Sequence, residues 1–73
     1  MEIGFKSGIY KHYKGKFYQV ICLAKHSETL EDVVVYKPLY ESEHKVWVRP
    51  LHMFQEVLQI DGELIPRFAF VSE

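Results

Sequence analysis

Apolar and polar positions alternate with a period of two along most of this chain, and the alternation is interrupted every ten or so residues by glycine, proline or a polar cluster. Gly8 opens Ile9-Tyr10-Lys11-His12-Tyr13, with Ile9 and Tyr13 on one face and Tyr10 and His12 on the other. Lys14-Gly15-Lys16 breaks the pattern, and Phe17 to Lys25 resumes it, which predicts a hairpin with a short glycine-bearing loop. The second strand is apolar on both faces. Phe17, Ile21 and Leu23 oppose Tyr18, Val20, Cys22 and Ala24, as expected of a central strand or one bending across a small barrel.

His26-Ser27-Glu28-Thr29-Leu30-Glu31-Asp32 reads as a polar loop, and Val33-Val34-Val35-Tyr36-Lys37-Pro38-Leu39-Tyr40 is the strongest β signal in the chain. Pro38 cannot donate to a ladder, so the end of that strand belongs at an edge or bulge. After Glu41-Ser42-Glu43-His44, Lys45 to Arg49 forms the next strand and Pro50 closes it. Leu51 and Phe54 then suit a single tight turn that drops both into the core. Asp61-Gly62 between Glu56–Ile60 and Glu63–Phe70 is a strong hairpin signal, and Pro66 marks the last strand as an edge. The pattern predicts an all-β chain of about six short strands with no long helix, a small SH3-like, partly open antiparallel barrel. Residues 1–73 make a single domain, with 1–7 as a loose lead-in.

Composition narrows the function classes. A hydrophobic content of 48% opposes disorder, and a net charge of −1 gives no global attraction to nucleic acid or anionic membrane. No stretch approaches the roughly 20 apolar residues of a membrane helix, and no apolar run follows Lys6 as a signal peptide would require. The lone Cys22 excludes an internal disulfide and fits a cytoplasmic location. Its apolar neighbours predict a buried, inert thiol.

Candidate chemistry is sparse. His12, His26, His44 and His52 are scattered with no metal-ligand spacing, so neither metal nor cofactor is expected. In His26-Ser27-Glu28-Thr29, neighbours along a strand point to opposite faces and make no triad, so no catalytic residue is assigned. Lys11, Lys14, Lys16 and Lys25 make the first hairpin locally basic, as a solvated edge would be. Tyr10, His12, Tyr18, Tyr36, Tyr40, Trp47 and Arg49 are more suggestive, because all fall on positions that alternate with aliphatic ones. They make either a core or a shared outward binding face of aromatic rings and arginine. Arg49 can also pair with Glu28, Glu41 or Glu43.

Gly8-Ile9-Tyr10-Lys11-His12-Tyr13-Lys14-Gly15, Ala24-Lys25-His26-Ser27-Glu28-Thr29, Val34-Val35-Tyr36 with Leu39-Tyr40, and Trp47-Val48-Arg49-Pro50 with Met53-Phe54 follow in order from about Gly8 to Phe70. Together they resemble the short bacterial family catalogued as domain of unknown function 1653. The glycine usual there after the third-strand tyrosine is replaced by Glu41. The resemblance implies a small β domain and carries over no activity and no site residues.

The expectation is therefore a non-enzymatic binding or interaction module, with tentative ligand contacts at Tyr10, His12, His26, Glu28, Tyr36, Trp47 and Arg49. A peptide or protein partner is favoured, with single-stranded nucleic acid as the other candidate and no membrane. The alternative is a small metabolite-binding protein or enzyme, and it requires His12, His26, Glu28 and Arg49 to converge on one pocket.

Overall fold

The structure is a computed structural model that describes residues 5–73. Seven strands and one helical turn follow in order: β1 (Gly8–His12), β2 (Phe17–Lys25), β3 (Asp32–Pro38), β4 (Trp47–Pro50), α1 (Leu51–Phe54), β5 (Val57–Ile60), β6 (Glu63–Pro66) and β7 (Phe68–Ser72). An antiparallel sheet has the order β4-β3-β2-β1-β7, and β5-β6 is a separate ribbon. Because β4 and β7 do not pair, the sheet curls without closing into a barrel. Among the described residues no helix is long and apolar enough to cross a membrane.

The turns follow the glycine chemistry. In the first hairpin His12 N donates to Lys16 O at 2.7 Å, and Gly15 takes φ 106°. In the ribbon Asp61 and Gly62 both have positive φ, 51° and 80°, between the paired Ile60 and Glu63. Such a turn matches the twist of its strands. Gly8 is required where β1 meets β7: its φ is 143°, and a Cβ there would collide with the carbonyl oxygen of Ser72.

One face of the curled sheet carries the core. Register pairs Tyr10 with Tyr18 and Phe70, Val20 with Tyr36, and Tyr36 with Trp47. Paired residues share a face. Tyr10, Val20, Val34, Tyr36 and Phe68 are buried there, and α1 lowers Phe54 onto them at 1% exposure. Pro50 ends β4 and starts α1, as its missing N–H and fixed φ favour. Phe54 stacks on Phe68 at 4.0 Å between ring centroids and meets Tyr10 and Tyr36 edge-on at 5.2 and 5.4 Å. Leu51 packs against the same cluster while remaining half-buried.

Three expectations are corrected. Glu63–Phe70 is two strands, because Arg67 leaves the ladder: its N–H donates to Glu56 O, and its carbonyl accepts from Tyr13 N, both at 2.9 Å. Cys22 is exposed rather than buried. The register shifts between Val20 and Cys22, with Ile21 as the extra residue, so Cys22 lies opposite Val35 on the uncovered face. The lead-in is engaged in part: Phe5 stacks 5.8 Å from Tyr10, and the Tyr10 hydroxyl donates to Lys6 O at 2.6 Å. Residues 1–4 of that lead-in lie outside the described residues.

Candidate aromatic and arginine site

The aromatic and cationic residues singled out in the sequence do share a face, and it is the core face. Tyr10 and Tyr36 are buried within it and support it from below, while His12 and Arg49 are half-buried at its margin and Trp47 is 39% exposed. Tyr36 and Trp47 are paired across β3 and β4, and Arg49 is two residues along the same face of β4. The Trp47 ring meets the ring of His44 edge-on at 4.9 Å.

Arg49 spans the opening between β4 and β7. Its Nε donates to the Tyr36 hydroxyl at 3.2 Å, and its guanidinium carbon lies 5.6 Å from the Phe68 ring centroid, the arrangement of a cation–π contact. The pairing with Glu28, Glu41 or Glu43 considered from the sequence does not form. Among the described residues the ion pairs are Lys25–Asp32 at 2.8 Å and Arg67–Glu56 at 2.7 Å.

His12 closes the same end. Its ring lies 4.9 Å from Phe68 and 6.3 Å from Tyr18. Its Nδ1 accepts the Lys14 N–H at 3.1 Å, so the proton of the neutral ring sits on Nε2. Burial, and then the charges of Arg49, Arg67 and Lys14, hold its pKa below the usual value. The Tyr18 and Tyr40 hydroxyls share a hydrogen bond of 2.7 Å. Burial and that bond push the Tyr18 pKa up to about 12, so it stays protonated at any physiological pH. Tyr18, Tyr40 and Arg67 were not among the site residues assigned from sequence. Tyr18 and Tyr40 are alternating aromatics in the sequence, but the pattern carries no sign that a chain-distant pair of hydroxyls would meet.

His26 and Glu28 are elsewhere. Both are exposed in the β2–β3 loop, at the opposite end of β2 from His12. Those ends lie nine strand residues apart, roughly 25 Å at full extension. His26 has a loop-building role: its Nδ1 accepts the N–H of Glu28 at 3.1 Å and of Thr29 at 3.3 Å. The Thr29 hydroxyl caps Glu31 N in the same loop. His12, His26, Glu28 and Arg49 therefore share no pocket. Among the described residues no three His, Cys, Asp or Glu side chains gather as a metal site would require.

The lysines of the first hairpin are engaged with rings, Lys11 over Phe17, Lys14 over Tyr13 and Lys16 over Tyr40. Beyond Phe68, the far side of the core face opens into a cleft of about 400 Å³ lined by Phe5, Lys6, Tyr10, Phe54, Gln55 and Phe70 together with Phe68 itself. The Phe68 ring thus separates a cationic, hydroxyl-rich end from an aromatic cleft.

Comparison with known proteins adds a family. The sequence profile described as "Protein of unknown function (DUF1653)" matches residues 8–70. A crystal structure of a DUF1653 protein from Bordetella bronchiseptica is similar to this chain at 39% sequence identity and a TM-score of 0.87, covering 93% of this chain and 88% of that one. No functionally curated protein shows significant similarity.

Proposed function

We infer that this chain, which belongs to the DUF1653 family of proteins of unknown function, is a non-enzymatic binding module that takes a peptide or protein partner at the margin of its aromatic face. The observation that carries this reading is Arg49: a half-buried guanidinium beside the exposed Trp47, with no acid partner among the described residues. Exposed aromatic rings next to arginine are the usual material of binding hot spots. Both residues lie on β4, a terminal strand of its sheet with one free hydrogen-bonding edge. An extended peptide can add to such an edge while its side chains reach Trp47 and Arg49.

Single-stranded nucleic acid is the second reading, because Trp47 offers a stacking surface. A net charge of −1 and lysines already set against tyrosine and phenylalanine rings favour the peptide. The separation of His26 and Glu28 from His12 along β2 weighs against the enzyme alternative, which needs all of these side chains in one pocket. A free, exposed Cys22 thiol suits a reducing cytoplasm.

Amide NMR titrated separately with a mixed peptide pool and with short single-stranded oligonucleotides tests this reading. Shifts clustered on His12, Tyr36, Trp47 and Arg49 with peptides are expected. Clustering with oligonucleotides alone would select the second reading, and silence from both pools would remove the face as a binding site.

A further inference from the structure

We propose that the Arg49 end of this face is an oxyanion-binding site, which recognises a carboxylate or phosphate group of its ligand through Arg49, His12 and the Tyr36 hydroxyl. The proposal rests on the binding-module reading and gives it a chemical handle.

The donor inventory carries the argument. Arg49 spends its Nε–H on Tyr36, and the N–H groups of both Nη nitrogens meet no carboxylate among the described residues. The Tyr36 hydroxyl accepts from Arg49, so its own proton is free to donate. His12, with Nδ1 occupied by the Lys14 N–H, offers Nε2–H. The Tyr18–Tyr40 bond consumes one hydroxyl proton and leaves the other.

Acceptors are scarce at this end. Glu56 is tied to Arg67, and Arg67 in turn has a buried Nε with no partner. The charged groups that act on the His12 ring are all cations, namely Arg49, Arg67 and Lys14. A chain of net charge −1 has thus gathered three cations at one half-buried spot, and among the described residues Glu56, already paired with Arg67, is the acid that meets them. A guanidinium in such a setting binds planar carboxylates and phosphates through paired N–H groups. The Phe68 ring, 5.6 Å from the guanidinium carbon, gives it an aromatic seat. The unpaired β4 and β7 edges leave the site open to an incoming group.

The test is NMR of the whole chain, following the Arg49 Nε–H and the His12 ring. Inorganic phosphate, N-acetylglycine and its neutral analogue N-acetylglycinamide are titrated at constant ionic strength against chloride. Saturable shifts at Arg49 and His12 with phosphate, with N-acetylglycine or with both are expected, and which of them binds names the source of the oxyanion. Bound anion should raise the His12 pKa, reversing the effect of its cationic neighbours. Arg49→Gln should weaken binding about tenfold or more, the loss expected for charge-assisted bonds. If that variant does not fold, His12→Gln should weaken binding as read at the Arg49 Nε–H.

Equal shifts with the neutral amide, or with chloride alone, would overturn the oxyanion site. So would the absence of any saturable shift. A peptide pool that still binds at Trp47 and Arg49 after such a result would leave the binding module standing without its anionic handle, so the two failures are distinguishable.

Discussion

His12 shows what a single residue on this face costs and what it offers. Its folded pKa lies below the ordinary 6.5, first through burial and then through Arg49, Arg67 and Lys14. Well above 6.5 the ring is neutral in both folded and unfolded chains and contributes no pH dependence. As pH falls below 6.5 the unfolded chain takes the proton first, so protonation favours unfolding. Stability should therefore decline through His12 as pH drops from 6.5 toward the lower folded value. Urea midpoints at about pH 7.5 and about pH 5 should fall further in the wild type than in His12→Gln. Equal declines would place the titration elsewhere. The alternation of residues made the shared face of Tyr10 and His12 legible, but not that it faces inward. Tyr10 and Tyr36 have rings apolar enough to bury and hydroxyls polar enough to expose. With β2 apolar on both sides, nothing local broke the tie.

The elements were legible where backbone chemistry is local and obscure where partners are distant in sequence. Asp61-Gly62 announced its hairpin because two successive positive φ values suit few residue pairs, and α1 followed from Pro50 with Leu51 and Phe54. The break at Arg67 was not legible. It depends on Tyr13 and Glu56, which the fold alone brings to its carbonyl and its N–H. The bulge at Ile21 was hidden for the same reason, and with it the exposure of Cys22. The ribbon also carries a prediction. It pairs with neither β4 nor β7, and an isolated two-stranded ribbon is marginal in water. Gly62→Ala places a side chain at φ 80° and should cost about 1–2 kcal/mol. The loss should stay local. Hydrogen exchange should speed up at the amides of Val57–Ile60 and Glu63–Pro66, while Val34 in the centre of the main sheet remains protected. Deprotection of both together would show that ribbon and sheet unfold as one unit.

At the scale of the whole molecule, stability concentrates on one side chain. A domain of this size retains roughly 3–5 kcal/mol of net stability. Phe54 touches the rings of Phe5, Tyr10, Tyr36 and Phe68, and so joins β1, β3 and β7 through a helix of one turn. Truncating such a residue costs about 3–5 kcal/mol in lost burial and residual cavity, which is the whole of the domain's margin. Phe54→Ala should therefore be largely unfolded at 25 °C by circular dichroism. Phe54→Leu keeps most of the apolar volume and should fold with a lowered urea midpoint. The two variants also separate core from site. Tyr36 accepts the Arg49 Nε–H and meets the Phe54 ring edge-on, so a folded Phe54→Leu chain that binds its ligand less tightly than its stability loss explains would show that the core positions the guanidinium. Unchanged binding would mean that Phe68 and the β4 backbone hold Arg49 in place without help from the Tyr36 seat.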